Sequence, residues 1–290
     1  MTRRWRQALV VLFATLVIAL GVVLSQLPAV GAGGLLHPGR RHLTESLPPT
    51  CREATFVGDD VTLEGWQCRA SPARRGTIVY LHGVADNRAS GAGVIDRFGR
   101  RGFDVVAYDS RAHGESGGDV CTYGFFEKRD LHRVLDTVAA GPIVLIGTSL
   151  GAAVALQEAA QDPRVTIVIG AETFSDLRTV ATERAPFFFT AGVVARAMAL
   201  AEEQGRFQID AVSPVAAAAA ITQPVLLVHG SDDADTRPDH SQRVLQALAG
   251  PKRLIVVPGA RHNESLRGGD VWTEIERWID NALVERRSAR

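Results

Sequence analysis

The stretch PIVLIGTSLGAAVALQEAA, residues 142–160, decides the fold. Its first half is a short apolar run of strand length, and AAVALQEAA behind it has helical character. Between them Gly147-Thr148-Ser149-Leu150-Gly151 turns the chain where side chains at the glycines would clash with strand and helix. A serine at the apex of such a turn projects its Oγ above the sheet. The first N–H groups of the helix then face any negative charge that develops there. The pattern G-x-S-x-G alone says little, because Gly114-Glu115-Ser116-Gly117-Gly118 matches it too. That second copy follows the loop Arg111-Ala112-His113 and has no helix after it. Only Ser149 has a strand before it and a helix behind.

Working outward, similar apolar runs occur at 77–83, 103–110, 165–172, 224–230 and 252–259, with helical spacing between them at, for example, 127–139. Strands apolar on both faces, alternating with helices, predict an α/β domain built on a doubly wound, mostly parallel sheet. Ligands of such sheets bind beyond the carboxyl ends of the strands. A serine nucleophile needs a base there, and the base needs an acid that orients it. Run 224–230 leads into His229-Gly230-Ser231-Asp232-Asp233-Ala234-Asp235, and run 252–259 into Gly259-Ala260-Arg261-His262-Asn263. His262 is the candidate base. Asp233, four residues past His229, is the candidate acid, with Asp232 and Asp235 as alternatives.

Further motifs stand at the other strand ends. His82-Gly83-Val84-Ala85-Asp86-Asn87 reads HGxxxN, and Asp109-Ser110-Arg111-Ala112-His113-Gly114-Glu115-Ser116 reads DxRxHGxS. With GxSxG, HGxxD and GxxH, these motifs resemble the α/β-hydrolase superfamily over residues 51–290, in its monoacylglycerol-lipase-like and serine-aminopeptidase-like branch. The resemblance implies the chain order serine, acid, histidine, hence Ser149, Asp233 and His262, with no cofactor. It implies an oxyanion hole of the Val84 and Leu150 main-chain N–H groups. It also makes His82, Asn87, Asp109 and His113 shapers of the site that stand outside the catalytic relay. One spacing departs from the family: a proline usually follows the acid by about four residues, and Pro238 follows Asp233 by five. His132 is expected at the surface, and His240 and Cys121 are expected to be structural. Metal-ligand spacings, Walker glycines and Rossmann glycines are all lacking in the sequence, so no metal is expected.

Residues 175–222 lack strand signal and are expected to form a helical lid over the site. Phe187-Phe188-Phe189 within it suggest an apolar acyl group or contact with a bilayer, or simply packing of the lid on the core. The expected activity is hydrolysis of an ester, thioester or amide of a small or lipid-like acyl substrate through an acyl-enzyme on Ser149. An acyltransferase with the same residues and a non-catalytic binding domain are the alternatives.

The N-terminus adds a second theme. After Arg3, Arg4 and Arg6 there is no charged residue until Arg40, and Ala8–Leu27 would form a helix of about 30 Å, the thickness of a hydrocarbon core. Residues 1–28 thus read as a signal anchor or a cleaved signal peptide, 29–49 as a linker and 50–290 as the hydrolase-like domain. Either version keeps the arginines cytoplasmic and places the domain outside the cytoplasm, anchored or secreted. The formal charge of zero hides this asymmetry: residues 1–50 hold five arginines against Glu45 alone, and the remainder carries 27 basic against 31 acidic residues. A pI near 7.1 removes the electrostatic case for a nucleic-acid partner. Around Gly58-Asp59-Asp60 two alternating runs suggest a hairpin pairing Val57 with Val61. That register brings Cys51 opposite residue 67 or 68, so a modest bulge allows a Cys51–Cys68 disulfide.

Overall fold

In the computed structural model, which describes residues 3–71 and 73–288, eight strands form one sheet. They are β1 (Cys51–Val57), β2 (Thr62–Cys68), β3 (Gly76–Leu81), β4 (Phe103–Tyr108), β5 (Ile143–Thr148), β6 (Val165–Ala171), β7 (Val225–Gly230) and β8 (Lys252–Val257). The spatial order is β1-β2-β4-β3-β5-β6-β7-β8. β2 runs antiparallel to both its neighbours, and all the other pairings are parallel. The helices are α1 (Arg3–Leu36), α2 (Ala92–Gly99), α3 (Glu127–Asp136), α4 (Leu150–Ala159), α5 (Leu177–Glu183), α6 (Ala191–Gly205), α7 (Pro214–Ala218), α8 (Pro238–Ala247) and α9 (Gly269–Ser288).

Both faces of the central strands β3, β5, β6 and β7 are covered, which is why those strands are apolar at nearly every position. In β5, Ile143 and Leu145 pack with Leu131 of α3, Leu156 of α4 and Val244 of α8. Val144 and Ile146 point the other way, to Phe98 of α2 and Ile275 and Ile279 of α9. All ten residues of α4 are buried, as an evenly apolar helix requires in water. α1 is just as apolar, yet its residues 3–26 are exposed along their whole length.

Two features differ from the sequence reading. The hairpin pairs Val57 with Thr62, one residue beyond the expected Val57–Val61 register. A four-residue loop closed by the Gly58 N–H to Val61 carbonyl bond, with Asp60 at φ 58°, makes this turn. Cys51 then lies directly opposite Cys68 and the two are disulfide-bonded without a bulge. Secondly, the helix does not end at residue 28. It continues through Pro28 to Leu36, because its last turns find partners that outweigh the hydrogen bond that proline removes. Ala32 and Leu36 are fully buried among Phe174, Leu177, Met198 and Phe207. α1 meets α6 closely where Gly31 faces Ala197 and Leu36 faces Gly205.

The segment expected as a free linker is held down as well. Arg40 donates to the carbonyls of Gly114, Ser116 and Gly118, Arg41 pairs with Asp86, and the Glu115 carboxylate accepts the Leu43 N–H. Between β6 and β7, α5, α6, a short 3₁₀ turn and α7 form a cap whose apolar residues pack on Ala153 of α4.

Candidate active site

The carboxyl ends of β3 to β8 lie along one edge of the sheet, and those of β3, β4, β5, β7 and β8 carry residues singled out above. Ser149, at φ 48° and ψ −111°, is the residue preceding α4. Few side chains accept such backbone angles, and strain of this kind is found where a site must be held in place. The two flanking glycines make the turn possible: a Cβ on Gly147 would run into the Gly151 backbone, and one on Gly151 into the Leu81 carbonyl. The Ser149 N–H donates to the Ala171 carbonyl at 2.8 Å, which fastens the turn to β6.

The loop after β8 brings His262 over this serine. Its Nε2 is 3.1 Å from Ser149 Oγ, and its Nδ1 is 2.7 Å from Asp233 Oδ2. A carboxylate only accepts, so Nδ1 carries the proton and Nε2 is left to accept from the serine hydroxyl. Asp233 is locked in turn. Its Oδ1 accepts the N–H groups of Asp235 and Thr236, and His229 Nε2 lies 3.3 Å from Oδ2. Burial pushes the Asp233 carboxyl up, but hydrogen bonds from His229, His262 and Thr236 prevail and hold it well below the usual carboxylate range. The two alternative aspartates are exposed and make no bond to His262: Asp232 accepts from Ser231 Oγ, and Asp235 offers its carbonyl to Arg184.

The expected oxyanion donors lie on either side of the serine. Leu150 is the first residue of α4, and a Cβ placed on Gly83, beside Val84, would be in van der Waals contact with Ser149. Among the described residues, neither the Val84 nor the Leu150 N–H is taken by an acceptor of the chain. His82 braces this loop. Its Nδ1–H donates to the Gly83 carbonyl at 2.7 Å while its Nε2 accepts the Ser110 N–H at 2.9 Å, and burial pushes its pKa down. Both bonds exist only in the neutral tautomer. Turning the Gly83 carbonyl toward His82 sends the N–H on the other side of that peptide, which is Val84's, the opposite way.

The other motif residues build the frame. Asn87 caps the 3₁₀ turn Arg88–Gly91 and holds the Arg41 carbonyl. Asp109 accepts from the Arg88 N–H, the Arg88 guanidinium and the Glu115 N–H. His113 Nδ1–H donates to the Arg111 carbonyl, and its buried Nε2 has no partner. Burial and the neighbouring His82 lower its pKa to about 4. Ser116 is buried, with its Oγ donating to the Asp109 carbonyl and accepting the Glu64 N–H, so this second GxSxG serine is a structural one. His240 is fully buried between Ser175 and Glu183, and Cys121 is buried with its thiol pushed up by burial. His132 is only half-exposed and bonds the buried Glu158.

One residue of the site went unread in the sequence. Glu172 follows β6 at φ 55°, is buried, and accepts the N–H groups of Asn263 (2.5 Å) and Ser265 (3.0 Å). It therefore clamps both sides of the loop that carries His262, and its Oε2 stands 3.8 Å from His262 Nδ1. An acidic residue directly after a strand was the available signal.

A protein-family model described as the alpha/beta hydrolase family matches residues 78–271, well over half of the chain. The chain belongs to the alpha/beta hydrolase family. Among curated relatives of this alpha/beta hydrolase, YqkD of Bacillus subtilis (strain 168) is 30% identical over 199 residues, which is 64% of this chain and 64% of that protein. YfhR of Escherichia coli (strain K12) is 29% identical over 241 residues, 78% of this chain and 79% of its own length. Among solved structures, the Pyrococcus furiosus esterase Pf2001 superposes with a TM-score of 0.67 at 20% identity, over 85% of this chain and 98% of that one. The Pyrococcus horikoshii acylaminoacyl peptidase superposes at 0.58 with 17% identity, over 75% of this chain and 38% of that one. These likenesses are of fold.

Among the described residues, two groupings bring potential metal ligands together, and the carboxylates of each are already engaged in hydrogen bonds. Glu172, Asp233 and His262 are already bonded as described. In the other, His132, Glu158 and Asp162, both Asp162 oxygens accept from Arg164 and Glu158 accepts from His132 and Gln161.

Proposed function

We propose that this protein is a membrane-anchored serine hydrolase, acting outside the cytoplasm on an ester, thioester or amide with an apolar acyl part. The observation that carries the chemistry is the continuous relay Ser149 Oγ, His262 Nε2, His262 Nδ1, Asp233 Oδ2, aligned on a strained turn at the end of β5. In this reading His262 takes the Ser149 proton as Oγ attacks the acyl carbon. Asp233 keeps the imidazole in the right tautomer and faces the positive charge that develops as it takes the proton. The Val84 and Leu150 N–H groups, with the N-terminus of α4 behind them, stabilise the oxyanion. His262 returns its proton to the leaving group, and water repeats the sequence on the acyl-enzyme.

The location is supported by three features. Residues 3–36 form the one helix, among the described residues, long and apolar enough to cross a membrane. Arg3, Arg4 and Arg6 at its start favour a cytoplasmic N-terminus. The Cys51–Cys68 disulfide suits an oxidising compartment.

A fluorophosphonate probe tests the proposal. It is expected to label the full-length protein at Ser149 and to leave Ser149→Ala unlabelled, and equal labelling of the two would overturn the assignment. Ester hydrolysis by Ser149→Ala should fall by about 10⁴-fold or more.

A further inference from the structure

A cavity of about 450 Å³, within the usual size of a small-molecule site, lies between the end of α1 and the cap. Val30 with Gly34, and Gly31 with Leu35, each pair one turn apart on α1, line one side. Val194 and Met198, one turn apart on α6, line the other. Its lining is mostly apolar, and Arg184 is the one charged lining residue. That guanidinium donates to the Asp235 carbonyl and to Thr236 Oγ1, in the loop whose N–H groups hold Asp233. Leu177 and Met198 of the lining belong to the same apolar cluster as Ala153, one helical turn past Ser149. Arg184 thus links the cavity to the loop that fixes Asp233, while Ser149, Asp233 and His262 themselves do not line it.

The cavity also borders the place where α1 leaves the protein. Residues of α1 before Leu27 are exposed, and Phe189 packs where Gly31 leaves room for it. Next to that contact Phe187 is 99% and Phe188 56% exposed. Two exposed phenylalanines beside an exposed apolar helix form one continuous apolar surface, the kind that lies in a lipid interface. We infer that this cavity seats one alkyl chain of a lipid-like ester taken directly from the bilayer, that Phe187 and Phe188 sit in the membrane interface at its mouth, and that the anchor helix itself forms one wall. The inference deepens the proposed function and rests on it for the ester. It also requires α1 to stay attached, since cleavage near residues 29–32 would remove that wall.

Gly34 offers the test. A Cβ there meets nothing within 4 Å, so a large side chain can enter the cavity without displacing backbone. The experiment uses the full-length protein in phosphatidylcholine nanodiscs that contain dodecanoyl or butanoyl esters. The ratio of kcat/KM for dodecanoyl over butanoyl ester is expected to fall at least tenfold in Gly34→Trp, at about fourfold for each methylene denied burial. Should Gly34→Trp not fold, Val194→Trp narrows the cavity from the opposite wall and carries the same expectation. A second readout is independent of turnover: in Ser149→Ala, a dodecyl diazirine probe mixed into the nanodisc should photolabel α6 residues, and Gly34→Trp should abolish this. An unchanged ratio together with undiminished photolabelling would overturn the inference. Turnover that survives Ser149→Ala would instead overturn the proposed function, while the photolabelling would still decide the cavity.

Discussion

At the scale of single residues, the site is a set of groups each held in place by hydrogen bonds to its partners. Asp233→Asn would keep the shape of the relay but present an amide to His262 Nδ1, so kcat should fall by about 10⁴-fold with KM little changed in steady-state assays. Glu172 is a positioning residue of a different kind. Glu172→Gln replaces one carboxylate acceptor by an NH₂ group facing a main-chain N–H, and the His262 loop must shift. The expected outcome is a kcat lowered about tenfold to a hundredfold, with a parallel slowing of fluorophosphonate labelling. A lower Tm with intact kcat would reduce Glu172 to a scaffold role. His113 gives the pH dependence its sign. The folded protein holds His113 neutral down to about pH 4, whereas an unfolded histidine takes up a proton near 6.5. Its contribution is therefore complete above pH 6.5 and is lost as the pH falls toward 4, amounting to about 3 kcal/mol at the acid end. Denaturant unfolding at pH 7 and pH 4.5 should show that loss, and His113→Asn should reduce it. Ser149, Asp233 and His262 were legible in the sequence because each sits in a short motif at a strand end. Glu172 was not, because its partners are main-chain N–H groups about ninety residues away, which no local pattern records.

At the scale of elements, what the sequence conveyed was the alternation of strand and helix, since apolar runs and their periods are local properties. What it did not convey was tertiary override. Pro28 and the glycines after it argue for a helix end, and only the burial of Ala32 and Leu36 in the cap explains why α1 goes on. The β1–β2 register missed by one residue because Asp60 accepts a left-handed conformation, which lengthens the turn. That register makes a clear prediction. Alkylation of the unfolded, unreduced protein should tag one cysteine, Cys121, and prior reduction should raise the count to three by mass spectrometry. The Leu81 carbonyl lies where a Gly151 side chain would stand, so β3, β5 and α4 can meet only around a glycine. Gly151→Val should destabilise the protein by several kcal/mol and abolish soluble expression of the active form, read by thermal unfolding and probe labelling together.

At the scale of the whole molecule, the helix that begins the chain is also part of the cap. Among the described residues, a deletion that ends at Gln26 takes away only exposed side chains, whereas one that ends at Leu36 also strips Ala32 and Leu36 from a closed cluster. The shorter deletion should therefore yield a folded, detergent-independent protein. The longer one should unfold at lower temperature or aggregate, by about 2–5 kcal/mol for the leucine alone. Differential scanning of the two truncations checks this. On the proposed reading as a membrane-anchored hydrolase, a rigid helix in place of a flexible tether has a kinetic consequence. In that reading Ser149 would be held at a set height and tilt over the membrane and could not sweep through the surrounding solution. Its chemistry becomes two-dimensional: turnover should follow the mole fraction of substrate among the lipids, and diluting the substrate with inert lipid should slow the enzyme even when the bulk concentration is unchanged.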